Sequence, residues 1–230
     1  MKRLVFIVTI LVSFGLATLL CYNHYVFQDA FYFLKGEITI DTISCENDLD
    51  SDGINDMVDI VLGARQEVWN RTRYQSTYYK GGYPPENEGV CTDVIWRALK
   101  NCGYDLKASM DKDILKNPED YLNGVVIPDP NIDFRRVKNQ CVFFKKYATS
   151  LTTQVKPYSK KNLYEWQAGD IVVLRKTEHV AIISDKRRKD GIPFILHNSS
   201  TFAMEEDLLL KWSRDNRIIG HFRFPKNTLE

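Results

Sequence analysis

Residues 169–198 read GDIVVLRKTEHVAIISDKRRKDGIPFILHN, and this stretch decides the fold class. Three aliphatic runs, Asp170–Leu174, Val180–Ser184 and Pro193–His197, have the length and β-branched content of strands and are too short for helices. Turn residues separate them at Thr177-Glu178 and at Lys189-Asp190-Gly191, so neighbouring strands are expected to run antiparallel. A fourth run, Ile218–Phe224 (IIGHFRF), comes after a polar stretch near Ser199. The basic run Lys186-Arg187-Arg188-Lys189 falls at a hairpin tip, where a solvated charge cluster is expected.

Upstream of the sheet the period becomes helical. Met57, Ile60, Val61, Ala64 and Val68 form one apolar stripe, which predicts a core-facing helix over Ile54–Trp69. A Gly/Pro/Tyr-rich loop, Tyr78–Gly89 (YYKGGYPPENEG), leads into a second helix that starts at Cys91. There Val94, Ala98 and Cys102 are spaced by four and Gly103 is the stop signal. A third, short helix is expected from Asn139 as cap through Phe143, Phe144 and Tyr147. Helices first and an antiparallel sheet after them is the order of an α+β domain, not of a parallel α/β sheet.

The chain has 230 residues, 44% of them hydrophobic and 27% charged, which excludes disordered and low-complexity classes and allows one substantial domain with an appendage. Lys and Arg total 31 against 30 Asp and Glu, so no basic surplus points to nucleic acid as a partner. Lys2 and Arg3 precede an uncharged, mostly apolar run, Leu4–Tyr22. As a helix it would be about 28 Å long, close to the hydrocarbon thickness of a bilayer. No Ala-x-Ala-like site follows, and bulky Leu20 before Cys21 argues against a lipoprotein signal. The expectation is a signal anchor over residues 1–22, an aromatic-rich stalk over 23–46 and an extracytoplasmic domain over 47–230. In that compartment Cys45, Cys102 and Cys141 allow one disulfide of undetermined pairing or three plain thiols.

Two constellations carry chemistry. In Asp48-Leu-Asp50-Ser-Asp52-Gly53-Ile54-Asn-Asp56-Met-Val-Asp59, carboxylates fall at positions 1, 3, 5, 9 and 12, with glycine at 6 and the Ile54 carbonyl at 7. Hard Ca²⁺ takes about 6–8 oxygens, and alternating carboxylates around a glycine turn supply them. Asp at position 12 and the absence of a clear entering helix depart from the EF-hand, and the loop is more similar to calcium loops of secreted bacterial modules. A structural Ca²⁺ held by Asp48, Asp50, Asp52, Ile54, Asp56 and Asp59 is expected; an acidic helix start favoured by the macrodipole is the alternative.

The second constellation is Cys91 with His179 and His197. Cys91 would sit at a helix N-terminus, where dipole and unpaired amides favour a thiolate. His179 opens a strand at an exposed sheet end and can act as base. His197 ends the next strand beside Asn198, within reach to orient it. Tyr83, Thr92, Asp93, Arg135, Arg136 and Asn198 are the candidate substrate-binding residues, Arg135 or Arg136 for a substrate carboxylate. A salt bridge within the loop is the alternative for the arginines, and packing is the one for Tyr83.

The segments Gly89-Val-Cys-Thr-Asp-Val, Trp166-Gln-Ala-Gly169-Asp170-Ile-Val, Glu178-His179-Val-Ala-Ile-Ile-Ser-Asp185 and Ile195-Leu-His197-Asn198 resemble NlpC-type papain-like cysteine hydrolases. More closely, with Tyr79-Lys-Gly-Gly-Tyr-Pro-Pro and Asp129-Pro-Asn-Ile-Asp133-Phe-Arg135-Arg136-Val, the chain resembles the bacterial family called domain of unknown function 1287, over about residues 54–224. The resemblance implies a papain-like α+β fold with Cys91 as nucleophile, His179 as general base and His197 as the orienting residue. The NlpC-type pattern usually has Asp-Cys-Ser where this chain has Val90-Cys91-Thr92. Together with the export reading, the resemblance implies a membrane-anchored cysteine peptidase or amidase whose partner is peptidoglycan or another cell-envelope substrate. A lipid-ester hydrolase or acyltransferase, and a non-catalytic calcium-stabilised surface binding module, are the alternatives.

Overall fold

The quoted stretch folds as three adjacent strands of a six-stranded antiparallel sheet. The computed structural model describes residues 35–121, 127–175 and 178–226, and the expected anchor lies outside them, as does the first half of the stalk. Among the described residues no helix is long and apolar enough to cross a membrane. Residues from Thr39 onward form one compact unit, so the last part of the expected stalk belongs with the domain. There Gln167 accepts a hydrogen bond from the Ile43 amide at 3.4 Å and donates to the Asp41 carbonyl at 3.0 Å.

Strands β1 (Arg73–Tyr74) and β2 (Glu88–Gly89) make a short parallel pair. The main sheet contains β3 (Thr149–Ser150), β4 (Ile171–Leu174), β5 (His179–Arg187), β6 (Pro193–Asn198), β7 (Ala203–Glu206) and β8 (Ile218–Arg223), in the order β3-β8-β4-β5-β6-β7. Pairing of Ile171 with Ile182 and of Val173 with Val180 puts these four side chains on one face, where they join the main core. Every residue of β4 is buried, which explains why it reads as a continuous apolar run instead of an alternating one.

Helices α1 (Asp56–Trp69) and α2 (Cys91–Asn101) cover that face. Asn55 caps α1 by accepting from the Val58 amide at 3.2 Å. Gly63 lets the helices approach closely: a Cβ there would meet the Ala98 Cα at 2.9 Å. Ile60, Ile95 and Leu99 are completely buried, and each side chain of this kind contributes about 1.5–3 kcal/mol by leaving water. Helix α2 ends in a Schellman turn, with Gly103 at φ +80° and the Tyr104 amide bonded to the Leu99 carbonyl at 2.9 Å. Further helices are α3 (Leu106–Lys116), α4 (Pro118–Tyr121), α5 (Val137–Tyr147), α6 (Lys160–Tyr164) and α7 (Leu209–Arg214).

Three expectations are corrected. Asn139 does not cap α5; it lies inside the helix, buried, and its amide holds the Asp133 carbonyl at 3.0 Å. The basic run is only partly solvated, because Arg187 donates to the carbonyls of Gly191 and Trp166 while Arg188 pairs with Asp190 and Asp207. Strand β7, which follows the polar stretch near Ser199, was not expected at all. Cys45, Cys91, Cys102 and Cys141 are all free thiols, so of the two alternatives left open for the cysteines the structure has the plain thiols.

Candidate active site

Cys91 is the first residue of α2 and is 7% exposed. The local sequence builds this helix start around Asp93, whose Oδ2 accepts from the Val90 amide at 2.7 Å and closes the first turn from within. Its Oδ1 accepts from Trp96 Nε1 at 2.8 Å. Arg135 then straddles the same carboxylate, with Nε and Nη2 each 2.7 Å from an oxygen, and its Nη1 donates to the Thr77 carbonyl at 2.9 Å. Thr92 Oγ1 donates to the Arg135 carbonyl at 2.9 Å. Thr92, Asp93 and Arg135 are therefore the scaffold that fixes the helix of Cys91, and the Arg135 guanidinium is engaged within the protein instead of presenting itself to a ligand carboxylate. Arg136 is half-exposed and pairs with Asp133 at 3.4 Å.

The backbone amide of Val180 acts on the Cys91 sulfur, together with the amides of Thr92 and of Cys91 itself. Val180 adjoins His179, so the sulfur lies against the start of β5. His179 is buried at 8% exposure, not exposed at a sheet end as expected, with Glu178 before it in the left-handed region. Its Nε2 lies 2.7 Å from His197 Nδ1, and His197 Nε2 lies 2.7 Å from Glu206 Oε2. The registers explain this series: Ile182 opposite Leu196 and His197 opposite Met204 place His179, His197 and Glu206 diagonally across three strands on one face. Trp212 of α7 packs edge-on against both imidazoles, at 5.7 and 5.6 Å between ring centroids.

This series sets the tautomers. A carboxylate only accepts, so His197 Nε2 carries the proton and its Nδ1 accepts from His179 Nε2–H. His179 Nδ1 is then left with a lone pair, and it has no hydrogen-bond partner among the described residues. Burial pushes the His179 pKa down to about 3, with the nearby His197 and Arg217 acting in the same direction. Burial also lowers that of His197, partly offset by Glu206. The Cys91 thiol is pushed up to about 11, mainly by burial. The three amides favour the thiolate but do not outweigh the loss of water, so burial favours the neutral thiol over the helix-end thiolate expected, as it favours neutral imidazoles at His179 and His197.

Asn198 is buried, and its amide donates to the carbonyls of Thr72 and Gly89 at 3.2 Å each, tying the segment before Cys91 to β6. Tyr83 packs against Trp96 and Phe134, with ring centroids 4.9 and 5.5 Å away, which is the packing alternative. Glu206, Trp212 and Tyr74 were not singled out from sequence. Tyr74 is near enough to Cys91 for a thiolate there to raise its phenol pKa, though burial is the larger cause. Their only sequence signals are single residues on segments of two to six residues, too short for a periodic pattern to stand out.

The calcium-type residues form a separate locality. Asp48, Asp50 and Asp52 each bring a carboxylate oxygen within 4.8 Å of the others. Asp56 is buried, accepts from the Leu49 amide at 2.9 Å and donates its own amide to the Asn47 carbonyl at 2.9 Å. Asp59 is buried on the next turn of α1, while Ile54 is exposed in the loop.

No solved structure matches the chain. It is 36% identical over 174 residues to the "Uncharacterized protein YijF" of Escherichia coli (strain K12), an alignment that covers 72% of this chain and 80% of that protein. A family model described as a domain of unknown function (DUF1287) matches residues 61–224, which take in α2 with Cys91, the sheet, and every member of the His179–His197–Glu206 series. On that match the chain belongs to the DUF1287 family.

Proposed function

We propose that this chain is a cysteine hydrolase of the papain-like, NlpC type that cleaves an amide bond. The observation that carries the reading is the series His179–His197–Glu206, which leaves one imidazole nitrogen with a free lone pair at the start of a strand whose Val180 amide meets the sulfur of a helix-start cysteine. His179 Nδ1 takes the thiol proton as Cys91 Sγ attacks the carbonyl carbon, and amides at the start of α2 stabilise the oxyanion. The C–N bond then breaks as His179 returns the proton to the leaving amine. Water, deprotonated by the same nitrogen, attacks the thioester, and the proton goes back to the departing sulfur. Helices packed on an antiparallel sheet, with the nucleophile at a helix start and the base opening a strand, support the papain-like assignment.

The substrate follows from location. Lys2 and Arg3 ahead of the apolar run Leu4–Tyr22 support a single-pass anchor with the domain outside the membrane. There the abundant amide-linked polymer is peptidoglycan, and its stem peptides are the proposed substrate. Incubation of the full-length chain with purified peptidoglycan, read by mass spectrometry, is expected to yield new stem-peptide fragments that Cys91→Ala does not produce. Fragments produced equally by Cys91→Ala would defeat the nucleophile assignment. A folded protein with no fragments but with Cys91-dependent release of fatty acid from lipid vesicles would move the substrate to lipid esters, and inertness in both would favour the binding-module reading.

A further inference from the structure

Asp59 is 2% exposed, and its Oδ2 is buried with no hydrogen-bond partner. A buried, unpaired carboxylate oxygen is costly and needs an explanation. Four other carboxylates, Asp52, Asp50, Asp56 and Asp48, lie near enough for their charges to act on it. The compensating positive charge does not come from the protein, because Asp48, Asp50, Asp52, Asp56 and Asp59 are absent from the ion pairs among the described residues. Three of the surrounding carboxylates already converge, with oxygens within 4.8 Å of one another. Asp56 is partly committed to the Leu49 amide, which fixes the loop's path.

We propose that Asp48, Asp50, Asp52 and Asp59, with the Ile54 carbonyl, hold one hard divalent cation, of which calcium is the best fit. Mixed carboxylate and carbonyl oxygens on a flexible loop suit calcium's larger, variable shell better than the strict octahedron of magnesium. The ion links the loop, through Asp59, to α1. The loop also meets the turn that ends α2, since a Cβ at Gly103 would lie 3.2 Å from the Asp50 Cβ. The cation therefore fastens the loop to α1 and against the turn that closes α2, the helix that carries Cys91.

The test uses the full-length chain after chelation, titrated calorimetrically with calcium chloride and melted with and without the ion. One saturable site per chain is expected, with a melting temperature raised by about 5–10 °C at a hundredfold excess over the dissociation constant. Asp50 is exposed, so Asp50→Asn leaves the fold intact. This variant is expected to bind calcium about tenfold or more weakly. In chelator it melts no lower than the parent, because a repelling charge has gone. Asp59→Asn does the same from the buried side, losing the calcium response while melting higher than the parent in chelator. Absence of saturable heat up to about 10 mM calcium, beyond the millimolar range of weak loops, would overturn the proposal. So would equal affinity in Asp50→Asn, or saturation by magnesium in preference to calcium.

Discussion

Two buried histidine–carboxylate sites lie on the same sheet, and their difference separates structure from chemistry. On β8, His221 is saturated: Nδ1 lies 2.8 Å from the Thr152 carbonyl, Nε2 lies 3.0 Å from Asp170 Oδ2, and the ring stacks on Trp166 at 3.7 Å. Asp170 is saturated as well, taking Arg223 through both oxygens at 2.8 Å and the Gln167 amide at 2.8 Å. On β5 and β6 the series runs through His179 and His197 to Glu206 and stops with one nitrogen unshared. Burial and a carboxylate partner are common to the two sites. What distinguishes them is the open lone pair, on a strand whose next amide meets the Cys91 sulfur, and the proposed hydrolase uses it for proton transfer.

The largest effects test that division directly. Cys91→Ala and His179→Ala are each expected to lower amide hydrolysis by about 10³-fold or more while melting close to the parent. Asp170→Asn is expected to do the reverse. It leaves Arg223 facing a neutral amide in a buried setting and costs about 3–5 kcal/mol in denaturant unfolding, with the folded fraction still active at near-parental kcat. An active His179→Ala, or an inactive but fully stable Asp170→Asn, would exchange the two assignments.

A smaller effect concerns the state of the thiol. With its pKa at about 11, Cys91 carries about a hundredfold less thiolate at neutral pH than an ordinary thiol near 9. Iodoacetamide modification is expected to climb with pH through 9 and beyond, and His179→Ala is expected to leave that profile in place, because neutral imidazole contributes no charge. A plateau near pH 6 that vanishes in His179→Ala would show an ion pair in place of two neutral groups. Helix-end position alone pointed to the thiolate; burial, which position along the chain does not reveal, reverses it.

The same contrast runs through what could be read from the chain. The long apolar elements were legible: α1, α2 and the three strands of residues 169–198 fall within a few residues of where periodicity places them, since each buries a face several residues long. His179 and His197 were legible too, because each borders such a run. Strand β7, at four residues, and α7, at six, were not. Their positions follow from pairing and packing across the sheet, so Glu206 and Trp212 had no local signal. Asp93 and Arg135 were visible as charged residues near the cysteine, but that they neutralise one another is a tertiary fact, set by the turn at Asp133–Arg135.

Glu206 offers the finest test of the comparison, because at the other site the equivalent carboxylate serves stability. Glu206 is partly exposed and its sole hydrogen bond to a ring nitrogen is that with His197, so Glu206→Ala is expected to leave unfolding nearly unchanged. Without the acceptor, nothing holds the His197 proton on Nε2. When it moves to Nδ1, His179 Nε2 must accept instead of donate, the His179 proton shifts to Nδ1, and the lone pair that the proposed mechanism uses is lost. The expected outcome is a fall in kcat of about tenfold with KM unchanged. Glu206→Gln should recover most of it, because the amide carbonyl still accepts from Nε2–H. A loss in Glu206→Gln as large as in Glu206→Ala would mean that the negative charge matters and not the acceptor. An unchanged kcat in both would leave His197 alone as the positioning residue, held in its tautomer by its surroundings.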